Sequence, residues 1–123
     1  MLSLPPTVRI WLATRPADLR KSFDGLAALV RDGLRGDPLS GDIFVFRNQS
    51  ADRIKLLLWE EDGYAIWYKR LEAGTFQKLD PAPRAGHASG SAGLELTATD
   101  FTLLLTGIDL ATARRRKRYT RAV

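Results

Sequence analysis

The chain has 123 residues, 45% of them hydrophobic and 27% charged, with a single histidine, no cysteine and a formal net charge of +5. That length suits one domain with a substantial core, and the lack of cysteine excludes disulfides, thiolate metal sites and a cysteine nucleophile. The positive charge is local: Arg114, Arg115, Arg116, Lys117, Arg118 and Arg121 supply six of the 19 cations, leaving 13 against 14 acids in residues 1–113.

Pro5 and Pro6 hold the start extended, and nothing nearby has the basic start and apolar run of a signal peptide. With no stretch long enough to span a membrane, a cytoplasmic protein without membrane contacts is expected. Val8 to Ala13 reads as a strand, Val8, Ile10 and Leu12 alternating with Arg9, Trp11 and Ala13. Thr14 and Pro16 suit a helix start. From Pro16 to Arg35, Leu19, Phe23, Leu26, Val30 and Leu34 recur every three or four residues, predicting one long amphipathic helix closed by Gly36. Arg20, Lys21, Asp24 and Arg31 fall away from that stripe. They form either a solvated face with weak ion pairs or a docking surface for a protein partner.

Gly36 to Asp42 is a loop by composition, and three runs rich in β-branched and aromatic residues follow. Ile43 to Arg47, Arg53 to Glu60 and Tyr64 to Leu71 predict an antiparallel meander. A three-residue loop of Glu61, Asp62 and Gly63, with Gly63 at positive φ, pairs Glu60 with Tyr64, Leu58 with Ile66, Leu56 with Tyr68 and Ile54 with Arg70. The opposite face then gathers Arg53, Lys55, Leu57 and Trp59 beside Leu71, Lys69, Trp67 and Ala65. Two readings fit that face: a nucleic-acid platform with bases on indoles and phosphates on cations, or an amphipathic surface partly covered by another segment. A slip of one residue would rearrange the whole set.

Residues 79–93 are rich in Pro, Gly, Ala and Ser and read as a flexible insertion, which contains His87. Order is expected to return at Leu94 to Leu96. Thr97 is then a candidate N-cap with Asp100 three residues on, Leu96 and Phe101 can form a hydrophobic staple, and Phe101, Leu104, Leu105 and Ile108 make an apolar stripe ending at Gly107. The expected fold is α+β: an antiparallel sheet of the N-terminal strand plus the three-stranded meander, with the long helix and the short late helix on one side. The alternative puts the helices on opposite faces, covering Trp59 and Trp67. Residues 1–110 form the domain and 111–123 a basic C-terminal tail able to neutralise phosphates in any sequence context.

No residue pattern demands an enzyme. His87 sits in the least structured stretch, and Glu60, Glu61 and Asp62 diverge on a turn, whereas two-metal chemistry needs carboxylates converging on ions about 4 Å apart. No glycine-rich phosphate loop is present, so no cofactor and no metal are expected. A small metal-dependent nuclease would require Asp24, Asp52 and Glu60 to converge.

Three blocks in unbroken order, D-L-R-K-S-F-D-G-L-A-A-L-V from Asp18, the meander from Phe44 to Phe76, and L-T-A-T-D-F-T-L-L-L-T-G-I-D-L from Leu96, resemble the TnpB-type accessory protein, the second open reading frame product of insertion sequences of the family numbered sixty-six. Its signature residues correspond to Asp18, Arg20, Lys21, Phe23, Asp24 and Gly25, and to Phe44, Phe46, Arg47, Asp52, Arg53, Lys55, Trp59, Trp67, Lys69, Arg70 and Leu71. Ser22 and Ala51 stand where glycines are usual, and a turn at Ala51 that needs positive φ would be strained or rebuilt. The resemblance implies a non-catalytic accessory factor in DNA transposition, acting with a separate transposase of the same element, with DNA as a further partner. A general nucleic-acid-binding module is the alternative. On either reading the candidate nucleic-acid contacts are Arg53, Lys55, Trp59, Trp67, Lys69 and the six tail cations, and the candidate protein contacts are Arg20, Lys21, Asp24 and Arg31.

Overall fold

The computed structural model describes residues 7–76 and 93–106. In chain order the elements are β1 (Ile10–Ala13), α1 (Phe23–Asp32), β2 (Ile43–Arg47), β3 (Arg53–Glu60), β4 (Gly63–Arg70), β5 (Gly93–Leu96) and α2 (Ala98–Thr106). The strands form one sheet in the order β4-β3-β2-β1-β5. The meander of β2, β3 and β4 is antiparallel as expected. β1, however, lies parallel to β2, Trp11 beside Phe44, because α1 carries the chain back to the end where β1 began. The strand expected at Leu94 to Leu96 is β5, antiparallel to β1, and it begins at Gly93.

α1 is ten residues long, half of what its apolar spacing predicts. A local turn wins over the first helical turns: Asp18 Oδ1 accepts the Arg20 backbone N–H at 3.0 Å, and the Lys21 N–H donates to the Asp18 carbonyl at 3.1 Å. Leu19, on the predicted stripe, is still buried, but from this turn. The other end closes at Gly33, whose N–H donates to the Leu29 carbonyl at 2.8 Å, ahead of Gly36.

The helices lie on opposite faces of the sheet, correcting the one-sided arrangement. Ile10, Leu12, Ile43, Val45, Ile54 and Leu56 pack with Phe101, Leu104 and Leu105 of α2, while Phe44, Phe46 and Leu57 pack under Leu26, Ala27 and Val30 of α1. The unbroken apolar run Ile43–Phe46 is what makes two-sided cover favourable, since all five residues of β2 are buried. α2 starts as its sequence dictates, with the Thr97 hydroxyl accepting the Asp100 N–H at 3.0 Å and both Leu96 and Phe101 in the core. The helix end at Gly107, Ile108, the insertion before Gly93 and the tail lie outside the described residues.

The β3–β4 turn differs from expectation by one residue. Glu60 pairs with Gly63, so Glu61 and Asp62 alone form the loop, and the positive φ falls on Glu61 at 42°. Trp59 consequently faces Tyr64, Leu57 faces Ile66, Lys55 faces Tyr68 and Arg53 faces Arg70. At the opposite end of β3, Ala51 does adopt positive φ, 56°, while buried. Asn48 rebuilds that turn in place of the glycine: its Oδ1 accepts the N–H groups of Asp52 and Arg53 at 3.1 and 3.0 Å, and its Nδ2 donates to Asp52 Oδ1 at 2.6 Å.

Candidate nucleic-acid interface

The actual register divides the basic and aromatic residues between two faces. Arg53, Lys55, Leu57 and Trp59 share the α1 side with Arg70, Tyr68, Ile66 and Tyr64, whereas Trp67 and Lys69 turn to the α2 side beside Leu56 and Ile54. Trp59 and Trp67 therefore cannot form one platform. Trp59 meets Tyr64 edge to face, ring centroids 5.1 Å apart, and Trp67 packs against the α2-side core. Lys69 is exposed.

Lys55 occupies a different kind of position. It is only 9% exposed, its Nζ donates to the Lys21 carbonyl at 2.9 Å, and the same atom stands 4.8 Å from the centroid of the Tyr68 ring. It ties the segment leading into α1 to the middle of the sheet.

What the fold brings together is a cleft of about 440 Å³ at the start of β3, lined by Asp18, Arg20, Asn48, Gln49, Arg53 and Tyr68 among others. Arg20, a candidate protein contact, and Arg53, a candidate nucleic-acid contact, thus share one site. Lys21 does not line it and accepts the Lys55 ammonium on its carbonyl, while Asp24 and Arg31 are exposed on α1. Tyr68, which the expected register pairs with Leu56, is 48% exposed and accepts a hydrogen bond from Arg53 Nη1 at 3.3 Å. Its signal was the cross-strand pairing with Lys55, legible only in the correct register.

The charges around the cleft are mostly fixed. Asp18 takes Arg20 Nε on both oxygens at 3.0 and 3.1 Å and Nη2 at 2.8 Å, and these bonds hold its carboxyl down at about 2. Asp52 is also lowered, chiefly by the Asn48 amide. Both carboxylates titrate below their unfolded value of 3.8, so their contribution is present above that value and is lost as pH falls below it, toward about 2 for Asp18. Urea midpoints measured from pH 5 to pH 2 are expected to fall over that window, and to fall less in Asp18→Asn; an unchanged slope in that variant contradicts the assignment. Arg70 is raised by its 2.8 Å bond to Glu72, and Arg47, buried at the end of β2, is lowered by desolvation.

A nuclease centre from Asp24, Asp52 and Glu60 does not assemble. Asp52 and Glu60 sit at opposite ends of β3, about 25 Å apart at the rise of an extended strand. Among the described residues no group of three or more His, Cys, Asp or Glu side chains is placed to hold a metal ion, and no helix is long and apolar enough to cross a membrane.

Comparison with known proteins adds the following. Residues 8–115 match the family model described as IS66 Orf2 like protein. Two curated relatives come from Sinorhizobium fredii strain NGR234. The uncharacterized protein y4jC is 37% identical over 109 residues, covering 89% of this chain and 86% of the relative. The uncharacterized protein y4hO is 33% identical over 109 residues, covering 89% and 88%. No solved structure matches the chain.

Proposed function

The chain belongs to the IS66 Orf2-like family, which ties it to insertion-sequence transposition, and we propose on that premise that it is a non-catalytic accessory factor working in the cytoplasm beside the element's own transposase. The family match over residues 8–115 is the observation that carries this reading. It acts by contact. Residues 1–110 are the folded unit, and the tail cations Arg114, Arg115, Arg116, Lys117, Arg118 and Arg121 neutralise DNA phosphates regardless of sequence. On the folded unit, Arg53 and the exposed Lys69 extend the cationic surface on opposite faces, and Trp59 and Trp67 act singly. The exposed side of α1, with Lys21, Asp24 and Arg31, is the docking surface for the transposase.

Fluorescence anisotropy of the full chain and of a truncation ending at Leu110, with single-stranded and duplex DNA across a salt series, tests the DNA half of the proposal. Steep salt dependence that becomes shallower in the truncation is expected. No binding by either protein at low salt removes direct DNA contact and leaves transposase docking.

A further inference from the structure

We infer that the cleft between the Asp18–Arg20 turn and the Asn48–Arg53 turn is a subsite for one unpaired nucleotide, its base stacked on Tyr68 and its phosphate held by Arg53 and Arg20. The inference rests on the DNA-contact reading above and gives it a place on the fold.

Tyr68 is held in position without being covered. Lys55 Nζ backs the ring at 4.8 Å and Arg53 Nη1 fixes the hydroxyl at 3.3 Å, yet the side chain remains 48% exposed at the cleft wall. A large aromatic ring immobilised in this way loses little freedom when a base stacks on it, and a flat ring accepts any base. Stacking on one ring requires a base face that duplex pairing and stacking keep occupied, so the ligand is single-stranded.

The cations nearby are arranged for an anion. Arg53 lies directly opposite Arg70 in the strand pair, a like-charge placement that is destabilising by itself. Arg70 is matched by Glu72 and Arg20 by Asp18, each at 2.8 Å, whereas Arg53 has no ion-pair partner among the described residues. The Asp52 carboxylate, attracted to both arginines, offsets part of the Arg53–Arg70 repulsion; a phosphate at the mouth of the cleft would offset more of it and find Arg20, whose side chain is 90% exposed, on the adjoining wall. Gln49 and Ser50 line the same space with amide and hydroxyl groups that can meet a base edge. The volume, about 440 Å³, falls within the range of sites for small ligands.

The test uses the full chain and a labelled ten-nucleotide oligo-dT, with a duplex of equal length as control. Replacing Tyr68→Leu keeps apolar bulk over Lys55 and removes the ring face; it is expected to weaken oligo-dT binding about tenfold, Tyr68→Phe to stay near wild type, and duplex affinity to stay unchanged in both. Arg53→Gln, at an exposed position, is expected to weaken binding several-fold and to reduce the salt slope by about one. Oligo-U serves as the ribose arm and is expected to bind within about threefold of oligo-dT, since no group is assigned to the 2′-hydroxyl. A tenfold preference for oligo-U overturns the assignment to DNA. Wild-type binding to oligo-dT that neither Tyr68→Leu nor Arg53→Gln alters overturns the cleft and leaves the DNA reading standing; no wild-type binding to any oligonucleotide overturns both.

Discussion

Phe44→Ala and Phe101→Ala are each expected to lower the free energy of unfolding by about 3–5 kcal/mol, the cost of emptying a fully packed aromatic site. The two rings are 2% and 1% exposed and lie on opposite sides of the sheet, Phe44 with Leu26, Ala27 and Val30 of α1, and Phe101 of α2 with Ile10, Leu12 and Val45. A domain of this size holds a net stability on the order of 5–15 kcal/mol, so either change removes a large share of it. The pairing of the two variants is the informative part. Were both helices on one face, one side of the sheet would be open to water, and a phenylalanine there would cost little to remove. Urea unfolding followed by tryptophan fluorescence measures both, and a loss under about 1 kcal/mol in either variant contradicts a sheet covered on both sides.

Lys55→Ala is expected to cost about 2–4 kcal/mol. Its ammonium makes a charge-assisted hydrogen bond to the Lys21 carbonyl, of a kind that contributes about 1.5–3 kcal/mol, and its contact with Tyr68 adds about 0.5–1. Alanine would remove both, strip the buried stem, and leave a carbonyl without its donor. Lys55→Met, which keeps the stem and loses only the charge, should recover roughly half of the loss. An exposed phosphate-binding lysine would behave differently: its removal would weaken DNA binding at unchanged stability. Denaturation midpoints for both variants within about 0.5 kcal/mol of wild type would show that Lys55 is not a strut.

The elements were legible wherever a local signal faced no competitor. Thr97 and Asp100 gave the start of α2 because the cap is a contact between residues three apart. The meander was legible from its β-rich runs. Its register was not, because glycine at position 63 invited a three-residue loop while the chain placed the positive φ on Glu61. That single residue moved Trp67 and Lys69 to the far face and brought Tyr68 beside Lys55. α1 came out short because Asp18 offers the backbone a competing turn that apolar spacing does not register. The run Ile43–Phe46 did carry the signal for two-sided burial, and the parallel pairing of β1 follows once α1 is understood as a crossover. The strain at Ala51 was foreseeable from the residue alone, but the clamp by Asn48 that holds it depends on the folded turn.

For the candidate site, placement did the sorting. Arg20 and Arg53, assigned from sequence to different partners, line the same cleft. Trp59 and Trp67, assigned to the same one, are separated by the thickness of the sheet.

The most direct measurement is transposition of a marked minimal element in a bacterial host, with the transposase supplied from one plasmid and this chain from another. Transposition is expected to fall sharply when the chain is omitted, and to be restored by the wild type and equally by a variant carrying Asp52→Asn and Glu60→Gln, once each protein is shown to accumulate. Transposition at the same frequency with and without the chain would contradict the accessory role, and restoration by wild type with none by the well-expressed acid-to-amide variant would contradict its non-catalytic character.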